Sequence, residues 1–437
     1  MPNLSTDFLA YLRNKSAQIN DAVLERAKDC LYDYLAVTTA GARANRDRWG
    51  TYYYHIPKGN FLIEGLSLMT DRSTSCLLNG FHAHILELDD GQRFAMIHLG
   101  AAIVTAVEAV RAENSLEYED VLRGIVMGYE AACRVALAVQ PAHKKKGFHT
   151  AGTCGTIGAA IGAGYALGMD DVQLRTVLDC AVASAAGMLE IQEQGSELKP
   201  YNLGRAALDG VNAAYMGYSG WKGPDDMLGG ERGFLALFAD GGNPAKATEA
   251  TDYFEIERIY VKPYAACRHC HSAIEAALTL REQCDPDGIE RVVIETYHLA
   301  VKGHDHTDIA GVSSAKLSMP YSVAAALVLG RADVAAFDAD TITNERILAL
   351  TRKVKVEENP EFSAQSSQKR IANVIIFKKD GSFCEQRVDY AKGDPENPMS
   401  RADIRRKAEQ LLGRGVAYAL ALRAYRTEAA CGGFPKG

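Results

Sequence analysis

The stretch FHAHILELDDGQRFAMIHLG gathers His82, His84, Glu87, Asp89, Asp90 and His98 within seventeen residues. Imidazoles and carboxylates at this density support coordination of a divalent ion. They equally support proton transfer, because adjacent carboxylates raise one another's pKa and a nearby histidine acts as acid or base. A solvated loop after a helix is the plain alternative. No pair has the helical spacing of an HExxH zinc motif, so the pattern favours proton transfer and predicts no metal.

Three further stretches carry candidates. In HKKKGFHTAGTCGTIG, Lys144 to Lys146 read as a solvated loop, and His149 stands before a Gly/Thr-rich helix start, where free N–H groups and the helix dipole favour an anion. In ELKPYNLGRAALDG, Lys199 and Arg205 flank a turn that opens a helix, and each can bind a carboxylate. In CRHCH, Cys267 to His271, the spelling fits haem attachment, a redox dithiol or zinc ligation. A helix from about residue 268 would put Arg268, His271, Ser272 and Glu275 on one face. Haem attachment needs an export route, and no second ligand pair stands at zinc spacing. The cysteines are therefore expected to be packing residues, and CRHCH to offer Arg268 and His271.

The elements that must position these residues fall into two textures. With 437 residues, 47% hydrophobic and 24% charged, the chain is ordinary globular material of two-domain length. A net charge of −7 provides no general basic field for nucleic acid. No apolar run has signal-peptide length or reaches the roughly 18 residues of a membrane span, so a cytoplasmic protein with no membrane partner is expected. Ten cysteines without framework spacing agree with a reducing compartment. Helical periodicity covers 21–41, closing at Gly41, then about 101–113, 118–140, 154–168, 171–190 and 203–219. The run GTCGTIGAAIGAGYALG has its small residues at helical spacing and no preceding strand, which predicts close helix packing instead of a phosphate loop. Strands are predicted at 289–301, 352–359 and 372–390, the last a hairpin turning at Asp380-Gly381, with helices at 320–330 and 344–353. Ser400, with Asp403 three residues on, restarts a helix. The expected fold is mostly α with an inserted α+β domain: a large helical domain over 1–260, completed by 398–437, and a smaller α+β lid over 261–397.

The ordered motifs HAHILELDD, GYEAACR, GFHTAGTCGTIGAA, LKPYNLGRAA, KPYAACRHCHSAIEAA and AKLSMPYSVAAAL resemble those of the 2-methylcitrate dehydratase (MmgE/PrpD) family, from about residue 5 to 415. That family includes 2-methylcitrate dehydratase, cis-aconitate decarboxylase and iminodisuccinate epimerase. The resemblance implies a cofactor-free homodimer acting on small polycarboxylates in a cleft between the two domains. The family's D-x-D-D-T pattern falls on Glu87 to Gly91, its following histidine on His98, and its GFH histidine on His149. Its lysine falls on Lys199, its lid histidine on His271, its S-x-P-Y tyrosine on Tyr321, and its frequent arginine on Arg268. Two departures, Glu87 for Asp and Gly91 for Thr, bear on which substrate is handled.

The implied chemistry builds negative charge on carbon beside a carboxylate, which needs preorganised cations and donors. Lys199, Arg268, His149 and His271 would meet that charge, with Arg205 and Glu87 at the substrate. Asp89, Asp90 or His98 would move the proton, and Tyr321 would donate to a leaving hydroxyl or reprotonate carbon. The expected function is a hydro-lyase resembling 2-methylcitrate dehydratase, with decarboxylation or epimerisation as alternatives on the same scaffold. Rivals are an iron–sulfur hydro-lyase using Cys267, Cys270 and Cys284, and a silent polycarboxylate-binding protein that lost a hydroxyl donor at Gly91.

Overall fold

The computed structural model describes residues 3–426; Cys431 and the rest of the expected C-terminal segment lie outside them. Helix α1 (Asp21–Ala44) opens where Asn20 accepts a hydrogen bond from the Val23 N–H at 3.1 Å. It runs through Gly41 instead of ending there. Gly41 serves close approach: a Cβ at that position would overlap the His82 carbonyl of α2 (Arg72–Ile85). Helix α2 is itself started by Asp71, which accepts from the Thr74 N–H at 3.1 Å.

Helices α3 (Gly100–Glu113), α4 (Tyr118–Val139), α5 (Thr150–Ala166), α6 (Asp171–Ser184) and α7 (Tyr201–Met216) complete this body. The predicted helix over 171–190 ends at Ser184. Beyond it the Gly187 carbonyl accepts from His149 N–H at 3.1 Å and Leu189 N–H donates to the Gly147 carbonyl at 2.8 Å, which holds the chain against the loop before α5.

The glycine- and alanine-rich α5 is a packing helix. A Cβ on Gly158 would stand 2.7 Å from the Gly128 carbonyl of α4, whereas one on Gly155 would meet nothing nearer than Ala102 Cβ at 3.7 Å. Gly158→Val is therefore expected to lower stability by about 2–3 kcal/mol through overpacking. Gly155→Ala should hold or raise it. Urea unfolding of both variants checks the contrast.

The second half builds a four-stranded sheet from β1 (Ile289–Thr296), β2 (Val354–Glu358), β3 (Ala372–Lys378) and β4 (Phe383–Val388), in the order β2-β1-β3-β4. The β1–β2 pair is parallel and the others antiparallel. The strand predicted over 289–301 stops at Thr296, where the chain turns into a short helix, His298–Val301. The β3–β4 hairpin turns at the predicted place, with Gly381 at φ 82°. Helices α8 (His271–Leu280) and α9 (Met319–Leu329) supply Ile274, Ala277, Val323 and Leu327 to the core beneath this sheet.

Two hydrophobic cores result. One takes its residues from Leu4 to Val261 and again from Met399 to Tyr425. The other runs from Ala265 to Ile376 and receives Val37, Ala40, Leu86 and Leu88 from the helical body. Helix α10 (Arg401–Leu412) begins with the predicted capping box between Ser400 and Asp403. Its buried Lys407 donates to the Leu88 carbonyl at 2.8 Å and pairs with Asp33 at 2.7 Å. Among the described residues no helix is long and apolar enough to cross a membrane.

Candidate active site

A cavity of about 480 Å³ is walled by residues of both halves. Arg93, Lys144, Lys199, Arg268, Lys302 and Arg370 line it, against only Glu193 and Asp308 among the acids. In a chain of net charge −7 this is a local reversal of sign, and it suits an anionic ligand of small-molecule size.

On one wall the turn after α2 arranges a histidine–carboxylate relay. Glu87 takes a left-handed backbone, φ 54°, which reverses the chain so that Asp89 comes back under His84. The Asp89 carboxylate stands 2.8 Å from His84 Nδ1 and 3.2 Å from His98 Nδ1. Burial would push Asp89 up, but the two imidazoles outweigh it and hold the carboxyl below its usual range. His98 Nδ1 also donates to the Asp90 carbonyl at 3.0 Å. With Nδ1 so engaged, Nε2 is the nitrogen left to take a proton at the cavity, the arrangement that orients a histidine base. Ligand atoms of His84, Asp89 and His98 also lie within 4.8 Å of one another, so these three could accept a divalent ion. As they stand they are joined at hydrogen-bond lengths.

Asp90, an expected catalytic residue, turns the other way. Its carboxylate accepts from the Gly100 N–H at 2.8 Å and from the Tyr129 hydroxyl at 2.5 Å, anchoring the start of α3 inside the helical core. Burial there pushes its pKa up to about 6.

Glu87 is the counter-ion of two lysines. Lys199 Nζ bonds its Oε1, and the fully buried Lys262 reaches its Oε2 and its carbonyl, each at 3.0 Å. Burial disfavours a charged Lys262, but Glu87 outweighs that and raises its pKa. Burial draws Lys316, which donates to the Ile85 carbonyl at 3.3 Å, down to about 8. His149 occupies the N-cap position of α5, and its Nδ1 accepts from Asn202 at 3.0 Å. Burial, then Lys199, keeps it well below the usual histidine range. It is therefore neutral and presents an Nε2–H donor. Arg268 lies 5.0 Å above the Tyr260 ring and pairs with Asp394 at 2.6 Å, while its Nε and Nη1 bond no other described residue.

Six of the ten expected site residues are not in the cavity lining: Glu87, Asp89, Asp90, His271, Tyr321 and Arg205. His271 is fully buried, with Nε2–H on the Ala266 carbonyl at 3.1 Å and its ring against Tyr264. It does not share a face with Arg268: its ring turns back onto the Ala266 carbonyl and Tyr264, whereas Arg268 lies over Tyr260 and pairs with Asp394. Tyr321 is fully buried too and donates to the Ala336 carbonyl at 2.8 Å. Arg205 is tied to the carbonyls of Gly152, Ser184 and Ala186 and to Asp209, joining α5, α6 and α7.

Other residues enter that the sequence reading missed. Lys144, expected in solvent, lines the cavity at the end of a single helical turn, Ala142–Lys145. His269, His304 and Arg370 line it as well, and Arg370 donates to His269 Nδ1 at 2.9 Å and to the Tyr297 hydroxyl at 3.1 Å. Cys267, expected to be a packing residue, faces the cavity with Sγ 3.3 Å from His304 Nε2. Burial would raise its thiol, but the neighbouring His304 brings it down to about 6. Only CRHCH hinted at any of these; the rest come from separate loops with no shared spacing.

The Gly91 departure has a steric account. A Cβ there would overlap the Tyr260 hydroxyl and stand 2.7 Å from the Ile97 carbonyl. Tyr260, a cavity residue, thus puts its hydroxyl where a threonine side chain would stand. Gly91→Thr is expected to cost about 2–3 kcal/mol, measured by thermal unfolding.

Fold and cavity together define a helical body joined to a smaller α+β unit across a cationic, histidine-rich site. The chain belongs to the MmgE/PrpD family: residues 6–247 match its N-terminal domain and residues 264–429 its C-terminal domain. It is 25% identical over 411 residues to cis-aconitate decarboxylase of Mus musculus, covering 90% of this chain and 83% of that protein. A cis-aconitate decarboxylase-like protein of Aspergillus oryzae is 25% identical over 91% of this chain and 88% of its own length. The 2-methylcitrate dehydratase of Escherichia coli is 32% identical over 136 residues, 29% of this chain and 28% of that protein.

Proposed function

We propose that this chain is a cofactor-independent lyase acting on a small di- or tricarboxylate, removing a proton from a carbon beside a carboxylate and eliminating water. The observation that carries this reading is the cavity itself, with six basic side chains and the neutral His149 donor around the His98–Asp89 relay. Arg268, Lys199 and Lys144 hold carboxylates, and His149 Nε2–H meets charge as it builds on the enolate-like state. His98 Nε2 takes the proton, and Asp89 stabilises the imidazolium that forms.

Decarboxylation is the second reading, favoured by the relatives that cover nearly the whole chain, which are cis-aconitate decarboxylases. Incubating the protein with 2-methylcitrate, citrate, cis-aconitate and iminodisuccinate in D2O, followed by NMR, tests both. Solvent deuterium on carbon with an unsaturated product supports the hydro-lyase, and CO2 release the decarboxylase. Neither exchange nor product with any of the four would sink the proposal. Turnover surviving dialysis against EDTA would agree with the absence of a metal.

A further inference from the structure

Elimination of water needs an acid at the leaving oxygen as well as a base at carbon, and the His98–Asp89 relay supplies only the base. We infer that His304 is that acid, and that Cys267 is the positioning residue whose thiolate keeps the His304 imidazolium charged inside a cationic cavity. This rests on the hydro-lyase reading above.

The geometry is specific. Cys267 Sγ lies 3.3 Å from His304 Nε2, and His304 Nδ1 is fixed by the Lys302 carbonyl at 3.1 Å. Both side chains line the cavity, and Arg268, more than nine-tenths buried with Nε and Nη1 unpartnered, lines it beside Cys267. Without a counter-ion an imidazolium here would lose its proton, because it is desolvated, Lys144 repels it and the His269 ring lies 4.9 Å away. The Cys267 charge outweighs these and raises His304. Around the sulfur, Lys199 and Lys262 supply positive charge and Glu87 negative charge, while Tyr260, Tyr297 and the fully buried Cys270 face it as neutral groups. A thiolate beside an imidazolium is the usual form of an activated cysteine–histidine pair.

The step balances without a further reactant. His98 Nε2 takes the carbon-bound proton, that bonding pair becomes the C=C bond, and the C–O bond breaks. The departing oxygen takes the His304 proton and leaves as water. His304 is left neutral beside the Cys267 thiolate and regains a proton from solvent, while His98 returns its own.

Two measurements decide the matter. In the kinetic one, His304→Gln and Cys267→Ala are each expected to lower kcat by about 100-fold or more with KM within about threefold. Cys267→Asp, which restores a negative charge, should recover to within about tenfold of wild type. In the second, which needs no turnover, iodoacetamide followed by peptide mass spectrometry should alkylate Cys267 at least tenfold faster than Cys180 or Cys384, and His304→Gln should abolish that difference. The inference is overturned if folded Cys267→Ala keeps more than half of wild-type kcat, or if Cys267→Asp is no better than Cys267→Ala. It is also overturned if Cys267 alkylates no faster than the reference thiols, or if the wild type releases CO2 but never water. A wild type inert towards every polyacid would instead overturn the proposed function, and alkylation would still decide whether the ion pair exists.

Discussion

Under the proposed function, replacing His98 with glutamine is expected to lower kcat by about a thousandfold and to leave KM nearly unchanged, the size of effect expected for loss of a positioned base. Glutamine keeps a donor and a similar reach but cannot take up a proton, so a bound polyacid should stay in place while carbon deprotonation should stop. Asp89→Asn should fall nearly as far, because the amide removes the charge that stabilises protonated His98 at 3.2 Å. Asp90→Asn separates the two neighbours. Its carboxylate holds Gly100 and Tyr129 in the helical core, so it should lose stability while turnover per folded molecule stays within about tenfold. Steady-state kinetics together with deuterium wash-in checks all three. A His98→Gln variant that still exchanged substrate hydrogen with solvent at the wild-type rate would move the base elsewhere.

The second large effect is on stability. Glu87→Leu strips the fully buried Lys262 of its counter-ion and should cost about 3–5 kcal/mol, as when one partner of a buried ion pair is removed. Adding Lys262→Met to Glu87→Leu removes the orphaned charge as well and should restore much of the loss. Urea unfolding of the two single variants and the double gives the coupling directly. The same pair bears on the sequence departure at this position. Glutamate, one methylene longer than aspartate, spans from Lys262 at 3.0 Å to Lys199 at the cavity, so the change supports a bridge between a buried lysine and one at the cavity wall.

Much of this architecture was legible in the sequence, for identifiable reasons. Asn20 and Ser400 announce helix starts because a short polar side chain satisfies N–H groups that a helix cannot. The small residues of α5 announce packing because only Gly and Ala let backbones approach as closely as Gly158 and Gly128 do. His98, His149, Lys199 and Arg268, read from their motifs, all line the cavity. Where the structure places residues away from the cavity, the reasons are equally physical. His271 has the right chemistry and a neighbour, Arg268, at the cavity, but sequence does not show that the Ala266 carbonyl and the Tyr264 ring already hold its imidazole. Tyr321 and Arg205 have the right chemistry, but sequence does not show that nearby carbonyls already engage them. Cys267 and His304 are 37 positions apart, joined by tertiary structure alone, and no local pattern connects them.

The bond from Lys407 to the Leu88 carbonyl has a consequence for how the protein is made. The segment that carries Glu87, Asp89 and His98 leaves the ribosome early, yet one of its carbonyls is held by a side chain 319 positions later. At about 5–20 residues per second, synthesis leaves tens of seconds in which that loop exists without its clamp. The nascent helical body can collapse around its own core in that interval, and the loop is expected to settle once α10 docks and Lys407 reaches the Leu88 carbonyl. The loop that carries these residues should therefore reach its final arrangement late in biosynthesis, after α10 has been made.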